Sequence, residues 1–370
     1  MLKLKVLDEL GKPYNIFTDY VESGAIDQFV KVMQQEDVVK GALMPDVHSG
    51  YVMPIGGVVA TKGTIYPAFV GYDIGCGVSA VQIGLSKQEL EERAGEIADV
   101  IRQVVPVGFN VHHHNFNPES LSRRVGRPPE CIRDLVDSHL NQVATLGGGN
   151  HFIEIGYDER DNTWLSIHSG SRGLGHTVAS RFMDASGGEG VCPIGVDTQL
   201  GRDYIGSLNY CLAWALYNRE KMMRNICEAL KVVFYDSTMV NRNHNHAEEK
   251  DGLWIHRKGA THAEKDMLGI IPSNMRDGVF LVRGLGNDDS LCSSSHGAGR
   301  VMSRSKAKKT YTLEEFRSSM GDMKLDGMTV DEKRIDESPM AYKDINEVME
   351  NQKELIEVIH HIKPIVNVKG

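Results

Sequence analysis

At 370 residues, with 41% hydrophobic and 25% charged side chains, the chain is long enough for one large or two medium domains with a sizeable core. A net charge of -9 argues against nucleic-acid binding through overall charge, although 41 Lys plus Arg suffice for a local basic groove. Six cysteines without paired spacing, no signal-like N-terminus and no apolar run near the ~18 residues of a membrane helix point to a reducing, cytoplasmic setting.

In chain order, Leu2, Leu4, Val6 and Leu7 suggest a strand. Residues 19–35 carry Ile26, Phe29, Val30 and Met33 at helical spacing and predict a helix. From 41 to 83, strand-like pieces are repeatedly cut by glycine, which favours loops closing around something over smooth sheet. There, Gly71-Tyr72-Asp73-Ile74-Gly75-Cys76 puts a carboxylate and a thiol three residues apart, a pair able to share one divalent cation. A buried, inert cysteine beside a turn aspartate is the competing reading. His48 either touches this site or serves a turn. Ser86 with Glu89 predicts a capped amphipathic helix over 86–104. His112-His113-His114 lacks acidic or cysteine partners and reads as a solvated loop. Residues 117–145 read as polar helix, with Arg123, Arg124 and Arg127 either an RNA-facing patch or an ordinary solvated face.

Next, Leu146-Gly147-Gly148-Gly149-Asn150-His151 leads into a short strand, and Trp164-Leu165-Ser166-Ile167 delivers His168-Ser169-Gly170-Ser171-Arg172. Two strands each presenting a histidine at one end can hold metal ligands rigidly. Arg172, among small residues, suits a phosphate. A long helix over 197–233 precedes a third strand-end histidine, His244, and further strand exits follow at His256 and at Pro272-Ser273-Asn274-Met275. In Ser295-His296-Gly297-Ala298-Gly299-Arg300, small residues leave room for a nucleotide beside an imidazole, with Arg300 and Arg304 as cations nearby. A turn histidine with solvent-facing arginines fits the same stretch. Thr312 starts a helix, 336–343 reads as a turn and 344–361 as a final amphipathic helix, while Lys369 stands where chains are usually disordered. No Walker-spaced glycine loop is present, which argues against a P-loop kinase.

Taken together, the motifs at 44–48, 71–77, 147–154, 168–176, 244–245, 256–260, 296–304, 336–343 and 368–370 resemble the RtcB-type RNA ligases nearly end to end. The resemblance implies a single α/β domain over 1–370, with mixed sheets around a deep polar cleft. It implies a GTP- and manganese-dependent ligase joining RNA 3′-phosphate or 2′,3′-cyclic phosphate ends to 5′-hydroxyl ends, in RNA repair or tRNA splicing. No membrane is involved, and an accessory protein is compatible with it. By resemblance, Cys76 bridges two manganese ions, and Asp73, His151, His168 and His244 complete their shells. His296 takes GMP from GTP as a phosphoramidate. Asn150, His151, Phe152, Ile153, Glu154, His244, Asn245, Pro272, Ser273, Asn274, Met275, Gly297, Ala298, Gly299 and Lys369 surround the nucleotide. Arg172 and Arg304 hold RNA phosphates.

The chain is shorter than is usual for such ligases, and its nucleotide loop departs from their pattern. Ser273 replaces a glycine, Arg276 adds a charge, and Val279 stands where a serine is usual, which predicts weaker discrimination against ATP. Two other readings remain. A metal-dependent RNA-end phosphoesterase would have no use for His296, and a catalytically idle RNA-end binding protein would have no use for the ligand set.

Overall fold

Two sheets carry the molecule, and the computed structural model describes residues 4–188 and 190–370. The seven-stranded sheet runs in the order Leu268–Pro272, Val279–Gly284, Ile356–Lys369, Phe152–Tyr157, Thr163–Ser169, Gly77–Gln82 and Val240–Asn243. Its side chains alternate with the strand period of two. Ile153, Ile155, Leu165 and Ile167 join the main core on one face, while Val78, Ala80, Phe152, Trp164 and Val279 pack on the other. The helix Gln199–Leu230 contributes Leu208, Cys211, Trp214 and Met222 to that main core. Thr198 caps the helix by accepting from Gly201 N–H, and Lys231, in left-handed backbone, ends it.

The five-stranded sheet runs Tyr14–Ile16, Val38–His48, Ile55–Thr61, Leu253–Lys258, Asn245–Lys250. Tyr14–Ile16 pairs parallel with Val38–His48, and the other ladders of both sheets are antiparallel. Between Val240–Asn243 of the first sheet and Asn245–Lys250 of the second, the link is a single residue, His244. This is the α/β architecture that the resemblance implied.

Register decides what gathers at the junction. Lys369, Phe152, His168, Val78 and Arg242 form one transverse row across five neighbouring strands. His151, Cys76 and His244 lie just beyond that row, all at the same end of the sheet.

Several local expectations change. Leu2 lies outside the described residues, and Lys5–Asp8 is a helical turn rather than strand. Leu7 is buried and Val6 exposed, with Leu4 one turn back, so the pattern has helical spacing. The glycines of 41–83 do not prevent regular sheet, because register shifts between Val38–His48 and Ile55–Thr61 absorb the irregularity. The 19–35 helix is Ser23–Met33, and the 86–104 helix is two, Lys87–Glu92 and Ala94–Val104, broken at Arg93. The Ser86–Glu89 capping box forms. Helix over 117–145 shrinks to Pro118–Val125, Arg133–His139 and 3-10 turns. The 336–343 turn belongs to two 3-10 segments, Glu332–Glu337 and Pro339–Ala341.

The largest correction is C-terminal. Only Ile345–Glu350 is helical, and Ile356–Lys369 is a 14-residue strand. Two neighbouring strands pair with it, and that pairing outweighs the local helical spacing. Lys369 is therefore held in a sheet and buried, not loose at a chain end. Among the described residues, no helix is long and apolar enough to cross a membrane.

Candidate active site

Cys76, His168 and His244 each offer a ligand atom within 4.8 Å of the others, and so do Asp73, Cys76 and His151. Cys76 belongs to both groups. Its Sγ lies 3.4 Å from His151 Nε2 and 3.2 Å from His168 Nε2, and His151 Nε2 lies 3.2 Å from Asp73 Oδ2. His151 Nδ1 donates to the Leu146 carbonyl at 3.0 Å, which orients the ring so that Nε2 faces both the thiol and the Asp73 carboxylate.

Burial first, then neighbouring cations, holds His168 and His244 well below the usual histidine range, so both rings are neutral. Their Nε2 atoms are 3.3 Å apart and either share a proton or converge on a cation. Burial and the Asp73 carboxylate push the Cys76 thiol well up, so a thiolate there requires a positive ion beside it. Burial would raise Asp73 too, but the hydrogen bond and charge of His151 outweigh it and hold Asp73 low. One sulfur, three imidazoles and a carboxylate at these separations fit borderline divalent ions.

Below this cluster lies Arg219, fully buried, donating to the carbonyls of Gly75 (3.0 Å) and Ser169 (2.7 Å) and to Asn243 Oδ1 (2.7 Å). It ties together the strand ends that carry Cys76, His168 and His244. Nothing in the sequence marks this arginine among the helix's other polar residues.

His296 follows the short strand Ser293–Ser295 and packs edge-on against His244, with ring centroids 4.7 Å apart. Its Nδ1 lies 2.6 Å from Oδ2 of Asp46, which has no exposed surface. Burial would raise the Asp46 pKa, but the charge and hydrogen bond of His296 hold it below the usual carboxylate range. Lys343 Nζ donates to the carbonyls of Pro45 (3.1 Å) and Val47 (2.7 Å), pinning the backbone on either side of Asp46. Gly299 has φ +75° and lies so close that a Cβ would strike the Asp46 carbonyl; here the backbone requires glycine. Asp46 and Lys343 stand in motifs that the sequence reading singled out, without a role attached to either.

A cavity of about 250 Å³ opens beside His296. Asn150, Phe152, Glu154, Pro272, Ser273, Asn274, Met275, Gly297, Ala298, Gly299 and Lys369 line it, with His48, Tyr342 and Asn367 besides. His151, Ile153, His244 and Asn245 do not. Ile153 points into the core, and Asn245 braces the Asp73 loop, donating to the Asp73 carbonyl (3.1 Å) and accepting from Gly259 N–H (2.8 Å). Glu154 accepts from Asn367 Nδ2 at 2.8 Å, while its buried Oε1 has no partner among the described residues. Burial pushes Glu154 up to about 8, against the opposing pull of Asn367 and Lys369.

Glu337 is the cavity's electrostatic hub, a role the sequence reading did not give it. Lys369 Nζ (2.6 Å), the Tyr342 hydroxyl (2.8 Å) and the Arg304 guanidinium all donate to it. Arg304 also reaches Asp336 at 2.9 Å, so its charge is largely committed inside the protein. Arg172 is part-buried, donating to Thr145 Oγ1 at 3.1 Å and the Gly108 carbonyl at 3.2 Å, and Gly147 leaves the room its guanidinium needs. Arg276 in the nucleotide loop is neutralised by Asp277 at 2.7 Å. Val279 lies inside the apolar cluster under the sheet, not on the cavity wall.

A second cavity, about 560 Å³, opens on the other side of His296 and Asn150, against Asp73, Cys76 and Lys258. The Lys258 ammonium is buried and finds no acceptor among the described residues, and burial lowers it to about 8. A third, of about 610 Å³, is lined by Arg276, Asp277, Phe280 and His361 among others and by none of the expected catalytic, metal or nucleotide residues.

The family model described as "tRNA-splicing ligase RtcB" matches residues 28–130 and 122–370. The chain is 36% identical to the RNA-splicing ligase RtcB of Escherichia coli (strain K12), over 95% of both chains. It is 28% identical to the RNA-splicing ligase RtcB of Mycobacterium bovis, over 93% of this chain and 100% of the relative. To the tRNA-splicing ligase RtcB of Pyrobaculum aerophilum it is 27% identical, over 89% and 87%. These alignments run over 394, 435 and 421 positions against 370 residues here, in keeping with the expected shortness.

Proposed function

This chain belongs to the RtcB family and is an RNA ligase, and we propose that it joins RNA 3′-phosphate or 2′,3′-cyclic phosphate ends to 5′-hydroxyl ends. In this reading residues 1–370 act as one domain in the cytoplasm, in RNA repair or tRNA splicing, with GTP and two manganese ions as cofactors. Cys76 would be shared by both ions, Asp73 and His151 holding one and His168 and His244 the other. Bound there, the ions would offset the negative charge that builds up where phosphates meet.

The observation that carries the proposal is His296 held by Asp46. With Nδ1–H donated to the carboxylate, Nε2 keeps its lone pair and is the nucleophile. It attacks the α-phosphorus of GTP; the N–P bond forms as the bond to pyrophosphate breaks. Asp46 balances the positive ring that results. An oxygen of the RNA 3′-phosphate then takes the GMP group, and the electron pair of the N–P bond returns to His296. Finally the 5′-hydroxyl attacks the activated RNA phosphorus and GMP leaves. A cyclic end is first hydrolysed to the 3′-phosphate.

Glu154 supports guanine in particular. Burial raises this carboxyl, and N–H donors on guanine's edge would favour its ionised form by donating to the unpartnered Oε1, whereas adenine offers no N1–H. Phe152 supplies a ring face beside it, and Lys369 lies 5.6 Å from that ring's centre.

Incubation with α-labelled GTP and manganese, followed by denaturing electrophoresis, tests the reading. Acid-labile, base-stable label is expected on the wild type and none on His296→Ala. Equal labelling of His296→Ala would overturn the nucleophile. Joining of a 3′-phosphate RNA to a 5′-hydroxyl RNA then tests the complete reaction.

A further inference from the structure

Tyr72 directly precedes Asp73 and lines the 560 Å³ cavity together with Tyr51, Cys76, Lys258 and His296. Its ring stacks on that of His176, with centroids 5.0 Å apart and 23° between planes. Tyr51 packs against Tyr72 at a tilt of 53°, with centroids 5.6 Å apart, and is 54% exposed. His176 is exposed as well. Two tyrosine rings lining a cavity that leads to the reacting histidine, with His176 stacked on one of them outside its wall, differ from aromatic side chains scattered singly over a surface.

The backbone beside them is shaped to the same end. Gly71 has φ +90°, and a Cβ there would stand 3.3 Å from Lys258 Cε, so glycine leaves room for the buried Lys258 stem beside the backbone that carries Tyr72. An unpaired buried ammonium next to an aromatic strip suits one ligand chemistry: a nucleotide, with its phosphate on the cation and its base on the rings. The nucleotide cavity across His296 has its own ring, Phe152. Nothing in the guanylylation chemistry uses Tyr51, Tyr72 or His176.

Resting on the ligase reading above, we propose that Tyr51, Tyr72 and His176 stack the unpaired terminal base of the RNA end being joined and so position that end at His296 and the metal ligands. Ring faces carry no donor–acceptor pattern, so the strip accepts any base and favours purines for their larger surface. Either the nucleotide bearing the 3′-phosphate or the one bearing the 5′-hydroxyl meets this description, and the two are separable by experiment.

The test uses the full-length protein with manganese and single-stranded RNAs carrying 2-aminopurine at the terminal nucleotide, one 3′-phosphorylated and one 5′-hydroxylated. Stacking quenches this fluorophore. Quenching of one or both probes is expected, kept in Tyr72→Phe and lost in Tyr72→Leu; the quenched probe identifies the end. An abasic terminal nucleotide at that end should weaken binding by wild type roughly ten- to a hundredfold. The abasic change touches no protein atom, so misfolding cannot imitate it. Absence of quenching with both probes, quenching unchanged in Tyr72→Leu, or abasic ends bound as well as intact ones would overturn the proposal. Failure of the ligase reading shows separately, as absence of GMP on His296, which quenching does not require.

Discussion

Oδ2 of Asp46 lies 2.6 Å from Nδ1 of His296 across 250 positions of sequence, and it also accepts the backbone N–H groups of His296 (3.1 Å) and Gly297 (3.3 Å). One buried oxygen thus sets the tautomer, the ring orientation and the local backbone of the proposed nucleophile.

Asp46→Asn keeps the shape but can present N–H to Nδ1, which reverses the tautomer and removes the counter-charge. We expect single-turnover transfer of labelled GMP to slow about a hundred- to ten-thousandfold. A rate equal to wild type would mean that the pairing has no part in the reaction.

Metal binding should be coupled to proton release. The Cys76 thiol is held protonated by burial and by Asp73, so a cation that binds to the thiolate must displace that proton. Titrating metal-free protein with manganese in weakly buffered solution should release more protons from wild type than from Cys76→Ala, which should also bind the ion more weakly. Identical release and affinity would remove Cys76 from the metal site.

Glu337 links the cavity to acid stability. Burial would raise its pKa, but the charges of Lys369 and Arg304 and the hydrogen bonds of Lys369 and Tyr342 bring it down to about 2. A carboxylate depressed in the folded state stabilises fully above its unfolded pKa of about 4.3, and that contribution is lost as pH falls toward 2. Glu337→Gln leaves Lys369 buried without its partner and should cost about 3–5 kcal/mol near neutral pH. In denaturant titrations the gap between variant and wild type should close as pH drops from about 5 toward 2. A gap independent of pH would place the loss in packing rather than in charge.

Val279 yields a negative expectation. The sequence pattern suggested that a serine here would sharpen selection of GTP over ATP, but the side chain is 1% exposed within an apolar cluster. Val279→Ser should leave the ratio of guanylylation to adenylylation unchanged and lower unfolding free energy by about 1–3 kcal/mol, from lost apolar burial and a buried hydroxyl. A shifted ratio without loss of stability would show that this position reaches the nucleotide.

The same contrast between local pattern and long-range partner runs through the rest of the chain. The capping box at Ser86 and Glu89 was legible because a cap involves only the adjacent turn. The strand Ile356–Lys369 was not, because what selects extended backbone there is pairing with Val279–Gly284 and Phe152–Tyr157, both distant in sequence. Glu337 reads as part of a turn, since its cationic partners, Lys369, Arg300 and Arg304, come from other segments.

The chemical inventory belongs to the unfolded chain. A thiol, a carboxylate and histidines at strand ends, a histidine among glycines and arginines, and the motifs shared with one family are local properties, readable before the chain folds. How that inventory is used depends on contacts made only in the folded state. Antiparallel register brings residues 151, 168, 76 and 244 to one end of neighbouring strands. Close backbone approach at Gly299 puts Asp46 under His296, and the buried Arg219 clamps the strand ends together. Those choices depend on hydrogen bonds and charge pairs between segments far apart in the chain, whose strength is set by burial, and burial exists only once the sheets have closed over the site.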